Sequence, residues 1–563
     1  MPREPEAGEG GGGVRGDGEL ATVGASDRAA AGRVPWIVWA MALGVAALRA
    51  LPFLDLLRAR APRGYVYLPI GYIPKDWLAY LALIRQPADT GRLLLANPFT
   101  TEPQEGRFVL LFHQALGAVH AATGIDPFWL LELSRVPLLL IFLAVLWRFL
   151  GHVLAERRER LWACGLVAFA GGLEPFVLPL AKALLPAAMA EPMERELWPA
   201  YGWSGFGSLY NPLSIAALVL LLVTLRPLLQ PGGPAGWRDF AQAGVGFVLL
   251  ALTHSYSAIL LGAVLGGAVV VELALVPAAG WRRLWRATVA LAPAATMVAA
   301  VAAWQLRDPV FRASAGRAAG AQSASLFWLL ITHGVLAFFA LRGFQRWGRE
   351  RHPWRLAVGG WLLGVALLAS STVLNGYHFV FGLQLPLCIA AAPAIAEAVD
   401  RWRARGAAGW VRVGVVGLLL FVSPLWITRE ALLEAREQSL VPVSYVPVLA
   451  DLRSTPPTNV LAPPELGNLI PALSPHRVWV GQWFMTPDYV ARARWYTLMA
   501  QQPEAHARIL RALVDDQRIG VVVVPAASAG KVAALLAPRV ERVAGHGELA
   551  SIYLRTADSG AGR

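Results

Sequence analysis

Cysteine is nearly absent: two in 563 residues, Cys164 and Cys388, both inside apolar runs. That excludes a disulfide framework and a cysteine-built zinc site. Charge is scarce as well. Asp, Glu, Lys and Arg make up 15% of the chain, with a mean hydropathy of +0.50. Soluble domains carry roughly 25% charged residues, so an ordinary soluble protein is excluded. Acids are outnumbered, 37 against 50 Lys and Arg, leaving a formal charge of +13. The excess sits in short links between apolar runs, as in Trp281-Arg282-Arg283-Leu284-Trp285-Arg286. This is the positive-inside pattern of a membrane protein, not a basic face for nucleic acid, and no nucleic-acid partner is expected. Glycine is missing where a phosphate loop would need it: the apolar run ending at Val524 leads into Pro525-Ala526-Ala527-Ser528.

What is present is a series of apolar segments, each near the roughly 20 residues that cross a bilayer. Residues 1–34, rich in Gly, Ala, Glu and Arg, read as a disordered cytoplasmic tail. The segment from Trp36 reads as a retained first span. Arginine-dense links at 148–160, 282–286, 342–355 and 401–412 mark the cytoplasmic side. Spans are then expected at 36–57, 127–149, 161–181, 209–229, 239–254, 257–277, 287–305, 325–342, 356–373, 379–398 and 412–427. The chain is thus predicted to be a polytopic α-helical protein of the inner (plasma) membrane, with about eleven crossings and membrane lipids as partners. Residues 35–427 form the multi-span domain, with a long first external loop at 58–126. Residues 428–563 form an extracytoplasmic α/β domain, because short apolar runs near 459–462, 478–481, 520–524, 540–544 and 550–554 alternate with helical stretches. That alternation predicts a largely parallel sheet.

Two apolar stretches in the first loop do not fit as spans. Asp76–Arg85 places Trp77, Tyr80, Leu81 and Ile84 at helical spacing, and Phe108–Gly124 carries His113, Gln114 and His120. Both read as amphipathic helices lying on the outer leaflet. Asp76, at the head of the first, can take a proton from an acceptor hydroxyl or hold a divalent cation, or it can simply cap the helix after Pro74. In the Asn97-Pro98-Phe99-Thr100-Thr101-Glu102 turn, Glu102 and Glu105 offer a second acid or metal ligand; the proline flanks also suit a solvated turn. Glu174, before Pro175, is an ionisable group at membrane depth, catalytic if it faces a cavity and interfacial if it sits at the outer end. The external loop at 182–208 holds Glu191, Glu194, Glu196, Trp198 and Trp203. His254, between two spans, is a candidate ligand or a hydrogen-bonded turn residue. Arg307, Arg312 and Arg317 break the positive-inside trend. With His378 they suit a phosphate or diphosphate, unless Asp308 and lipid headgroups pair them.

These parts in this order resemble the C-type (GT-C) superfamily of membrane glycosyltransferases, of the protein O-mannosyltransferase and aminoarabinose transferase kind. The matching residues are Pro74-Lys75-Asp76-Trp77-Leu78-Ala79-Tyr80, the Asn-Pro-Phe-Thr-Thr-Glu turn, the Phe108–Gly124 helix and Ser134-Arg135-Val136-Pro137. Further on, Asn375-Gly376-Tyr377-His378-Phe379 with Leu385-Pro386-Leu387, and Asn459–Pro463 with Trp479-Val480-Gly481 and Thr486-Pro487, continue it. The resemblance implies transfer of a sugar from a polyprenyl-phosphate-linked donor to an extracytoplasmic lipid, glycan or protein acceptor. It implies Asp76 as catalytic base or metal-associated acid; Tyr80, Arg307, Arg312, Arg317, His378 and His254 are taken as the substrate-binding residues beside it. Lys75 stands where the family carries a second acid, so Glu102 or Glu174 is the alternative source of that carboxylate. His378 stands where relatives carry an Arg-aromatic pair. Two other readings are a transporter or flippase, and a non-catalytic scaffold of the same fold; no internal repeat favours transport.

Overall fold

The computed structural model describes residues 33–68, 74–187, 189, 205–318, 325–350, 352–371 and 376–555. The expected tail, up to residue 32, lies outside the described residues, as do Glu191, Glu194, Glu196, Trp198 and Trp203. The chain opens with α1 (Trp36–Arg58), strand β1 (Tyr65–Tyr67) and the helices α2 (Pro74–Thr90) and α3 (Leu111–Thr123). There follow α4 (Pro127–Val153), α5 (Arg157–Phe169), α6 (Glu174–Leu184), α7 (Pro212–Leu229), α8 (Trp237–Thr253), α9 (Ser255–Leu275) and α10 (Pro277–Gln305). Next are α11 (Pro309–Ala318), α12 (Leu326–Glu350), α13 (Pro353–Ala369), α14 (Phe381–Arg403), α15 (Ala407–Phe421) and α16 (Ser423–Gln438).

Among the described residues, eight helices or consecutive pairs are long and apolar enough to cross a membrane: α1, α4, α5–α6, α7, α9, α10, α14 and α15–α16. Helices α8, α12 and α13, of 17, 25 and 17 residues, occupy the other three expected spans. The protein is a polytopic helical membrane protein. Helices α2 and α3 are not among the eight; they pack on each other.

Two expected spans are broken where continuous helices were predicted. The 161–181 stretch divides at 170–173 into α5 and α6, and the 412–427 stretch divides at Val422 and runs on to Gln438. In each case a proline, Pro175 or Pro424, stands in the first turn of the second helix, where its missing N–H is harmless. At the first break the chains touch: a Cβ on Gly171 would lie 2.0 Å from the Cβ of Ser423.

Small residues bring α9 and α13 into backbone contact. Ala263 and Gly267 on one face Gly360 and Gly364 on the other. A Cβ on Gly267 would lie 2.0 Å from the Gly360 carbonyl oxygen, and one on Gly364 would lie 2.0 Å from that of Ala263. Within a bilayer such small-xxx-small contacts replace the absent hydrophobic drive. We expect Gly364→Val to cost about 3 kcal/mol, the upper end for overpacking, read as a lower unfolding temperature in detergent. Gly262→Val, in open space on the same helix pair, should cost almost nothing.

Beyond α16 come β2 (Leu440–Pro442), α17 (Tyr445–Arg453), β3 (Asn459–Leu461), α18 (Pro464–Leu473), β4 (Arg477–Val478), α19 (Tyr489–Gln501) and α20 (Ala507–Asp516). The chain then closes with β5 (Ile519–Pro525), α21 (Ala526–Leu536), β6 (Val540–His546) and β7 (Leu549–Leu554). The five-stranded sheet has the order β4-β3-β5-β7-β6. β3 runs parallel to β4 and β5, as expected. β7 is antiparallel to both β5 and β6. The sheet is therefore mixed: His546 pairs with Leu549 across a two-residue turn containing Gly547 at φ 76°, too short for a parallel crossover.

The first loop and the C-terminal sheet share one hydrophobic core. Trp77, Leu81 and Ile84 of α2 and Phe99 of the following turn pack in one cluster with Val460, Leu466, Ile470, Val478 and Val521. Helix α18 lies on α2. β1 pairs antiparallel with β2, Val66 opposite Val441, adding a backbone tie.

Candidate functional site

Asp76 lies in the first turn of α2, which begins at Pro74, two residues earlier than its sequence suggested. It is therefore inside the helix and not its cap. Among the described residues its carboxylate accepts no hydrogen bond and joins no ion pair, so capping does not explain it. It is half-buried in the rim of an apolar cluster whose neighbours Trp77, Leu78 and Ala79 are almost fully enclosed. Burial disfavours the charged form and pushes its pKa up to about 6.

One turn on, Tyr80 feels the Asp76 charge, and its phenol is held well above the usual range by burial first and by that charge second. The Asn211 amide donates to the Tyr80 hydroxyl at 3.1 Å. The buried ring of His113 from α3 lies 4.9 Å from the Tyr80 ring. Neither His113 nitrogen has a partner among the described residues, and burial holds its pKa down to about 3, so it is neutral. Below Asp76, Trp77 Nε1 donates to Glu132 Oε1 at 2.9 Å, and Arg135 pairs with Glu132 at 2.8 Å.

Residue by residue, the other candidates fall in different places. Glu102 is ion-paired to Arg492 of α19, while Arg477 donates to the carbonyls of Thr100 and Glu102 at 2.8 Å each. The turn expected to be solvated is instead clamped under the C-terminal sheet. Asn97, Phe99, Thr100 and Thr101 are buried, Asn97 Nδ2 donates to the Met485 carbonyl at 2.7 Å, and Val478 N donates to that of Pro98 at 3.0 Å. Glu105 binds Arg107.

Glu174 is fully buried at the α5–α6 break. Ser423 Oγ donates to its Oε1 at 2.7 Å, and its Oε2 has no partner among the described residues. Among the described residues no hydrogen bond or ion pair links it to Asp76.

Among the described residues Asp308 pairs with neither Arg307 nor Arg312. It starts α11, accepting from Val310 N at 2.9 Å and Phe311 N at 3.2 Å, and it takes Glu105 N at 3.1 Å. Arg307 and Arg312 are left exposed; the Arg317 side chain lies outside the described residues. His378 stacks on Tyr256 at 4.6 Å, and His254 Nδ1 lies 2.7 Å from Ser257 Oγ as a turn residue between α8 and α9. Burial holds both imidazoles down to about 4, His378 adding to the effect on His254. Neither is a cation at neutral pH, so neither supplies the charge expected of a phosphate clamp.

The sequence reading missed Arg49. Its guanidinium is buried over the Phe206 ring at 3.9 Å and over Tyr210, next in the chain to Asn211, which holds Tyr80. A lone arginine within an apolar span was the available signal.

Among the described residues the donor set does not suit a protein-held divalent cation. No group of three or more His, Cys, Asp or Glu side chains converges among the described residues, and Glu132 is committed to Trp77, next to Asp76 in the chain, and to Arg135. A hard cation needs several oxygens beyond a single carboxylate.

No protein-family model matches the chain, and no curated protein matches it. Solved structures do. Apo ArnT from Cupriavidus metallidurans aligns over 92% of this chain and 97% of its own, at 14% identity and a TM-score of 0.47. The archaeal oligosaccharyltransferase AglB from Archaeoglobus fulgidus, solved with an inhibitory peptide and a dolichol-phosphate, aligns over 88% of this chain and 70% of its own, at 14% identity and a TM-score of 0.47. The apo form of the Archaeoglobus fulgidus oligosaccharyltransferase aligns over 88% and 71%, at 15% identity and a TM-score of 0.46.

Proposed function

We propose that the protein is a membrane glycosyltransferase that moves a sugar from a polyprenyl-phosphate carrier to an acceptor outside the cytoplasm, with Asp76 as catalytic base. The observation that carries the reading is the state of Asp76: a half-buried carboxylate whose pKa burial pushes up to about 6, with no hydrogen-bond or ion-pair partner among the described residues. A general base serves best when its pKa lies near the working pH, and a carboxylate held for structure would be paired or capping.

In this mechanism Asp76 accepts the proton of an acceptor hydroxyl as its oxygen attacks the anomeric carbon. The bond from that carbon to the carrier phosphate breaks, and the electron pair leaves with the phosphate. The phosphate departs already ionised, so no general acid is required. A single displacement inverts the anomeric centre. Arg307, Arg312 and Arg49 are the cations proposed to stabilise the leaving charge; Tyr80, fixed by Asn211, orients the sugar or acceptor. Glu102 is assigned to holding the C-terminal sheet against the first loop, and no step is routed through a metal.

The test is the pH dependence of transfer. Asp76 works as its carboxylate, so protonation removes activity as pH falls through about 6. We expect kcat/KM to fall about tenfold per pH unit below that point. An acid limb near 4, the value of an ordinary aspartate, would count against the assignment.

The broken spans around Glu174 favour transport as a second reading, since discontinuous helices line ion and substrate sites in transporters. Comparing envelope lipids and glycans from cells with and without the protein separates the two. A missing sugar on a lipid or glycan supports transfer, and an unmodified substrate stranded on one side of the membrane supports transport.

A further inference from the structure

At the end of α14 remote from His378, the last turns of α12 and α14 enclose a pocket of 660 Å³. Five arginines line it: Arg342, Arg346 and Arg349 from α12, and Arg401 and Arg405 from α14 and the turn that follows. Two glutamates offset part of this charge. Arg346 pairs with Glu350 at 2.9 Å, and Arg401 reaches Glu397 at 3.6 Å. Three positive charges in the lining remain unbalanced. Arg342 rests on the face of Phe338 at 5.5 Å.

The arginine content exceeds what the helix ends require. A helix C-terminus carries about half a negative charge and is complemented by one or two basic side chains in the last turn. Here five guanidinium groups surround one cavity. Phe339, Pro393, Ala394 and Trp402 give its lining an apolar part. Phe338 and Leu341, 54% and 57% exposed, continue that apolar surface along the outside of α12. Such a site offers charge and a greasy track beside it, in a protein whose α14 is long and apolar enough to cross a bilayer.

We propose that this pocket holds the headgroup of an anionic phospholipid. The phosphate sits among Arg342, Arg349 and Arg405, which bind it through paired N–H donors, and the acyl chains run along Phe338 and Leu341. The site is separate from Asp76, and the proposal does not depend on glycosyl transfer.

The test uses full-length protein stripped of lipid in neutral detergent and reloaded with phosphatidylcholine, phosphatidylglycerol or cardiolipin. Native mass spectrometry counts the lipid retained. Phosphatidylglycerol and cardiolipin should be retained and phosphatidylcholine should not. Arg349→Gln with Arg405→Gln should lower retention about 25-fold, because each arginine near an anionic lipid is worth roughly fivefold. Ala394→Trp, which fills the apolar part of the lining without changing charge, should also reduce it. Arg494→Gln with Arg508→Gln, on the exposed surface of the C-terminal part, should leave retention unchanged. Equal retention of phosphatidylcholine, or retention indifferent to both pocket variants, overturns the proposal. Inorganic diphosphate that displaces the lipid at equal concentration would assign the pocket to a soluble phosphate and overturn it as well.

Discussion

Asp76→Asn is expected to lower transfer by roughly 10²- to 10⁴-fold, the range for loss of a positioned general base, while leaving the protein at least as stable as before. The second half of that outcome follows from the direction of the pKa. The folded state holds the Asp76 proton more tightly than the unfolded chain does, so the unfolded chain gives it up first as pH rises. Stability drawn from this group is greatest below the ordinary value of 3.8 and declines as pH rises to about 6. At neutral pH the buried carboxylate therefore costs of the order of 3 kcal/mol. Asparagine has the same shape without the charge and should recover part of it, read as a higher unfolding temperature at pH 7.5 that disappears at pH 4. A structural carboxylate would show the reverse pattern, with lower stability and intact transfer.

Arg283→Ala is expected to be the most damaging change to stability. Arg283 is fully buried, its Nε donates to Glu272 Oε2 at 2.7 Å, and its remaining nitrogens reach Glu272 Oε1 and the Leu228 carbonyl. It thus ties the link between α9 and α10 to the end of α7. Removing one member of a buried pair strands the other charge and costs about 3–5 kcal/mol. Glu272→Ala should cost as much. Replacing both, by Arg283→Met with Glu272→Leu, should recover most of the loss, because a well-packed apolar pair avoids desolvating two ions. Yield of folded protein in detergent and its unfolding temperature measure all three. If Arg283→Ala unfolds with the wild type, the pair contributes nothing and the link is held by other contacts.

Arg283 also marks a limit of sequence reading. Within the Arg282–Arg286 link all the arginines look alike, as charges kept at one membrane face. Only the packing of α7, α9 and α10 selects one of them for burial. Local pattern did reveal the helices: apolar length gave the spans, and the spacing of Trp77, Tyr80, Leu81 and Ile84 gave α2. The breaks at 170–173 and Val422 were signalled by Pro175 and Pro424, but hydropathy averages over such points. The antiparallel β6–β7 hairpin was signalled by Gly547, but the alternation of strands and helices pointed to a largely parallel sheet.

Long-range pairing was not legible. The Asn97–Glu102 turn is polar and carries prolines, as a solvated turn does, yet Arg477 and Arg492, almost 400 residues later, bury it. The pairing of Tyr65–Tyr67 with Leu440–Pro442 is of the same kind, three residues at each end with no pattern of their own. Asp76 was legible as a candidate because it heads an amphipathic helix of the first loop, within the Pro74–Tyr80 run that carries the resemblance. That it lies inside the helix, without a cap to form, depended on the helix starting at Pro74.

The most direct measurement follows the carrier. Purified protein, a polyprenyl-phosphate sugar labelled in the sugar, and envelope acceptor extract are incubated together, and label on the carrier and on the acceptor is counted. The account predicts that label moves to the acceptor with one free polyprenyl phosphate released per sugar transferred, and that Asp76→Asn stops both. Label that stays on the carrier with active wild-type protein, or moves equally well with Asp76→Asn, would contradict it.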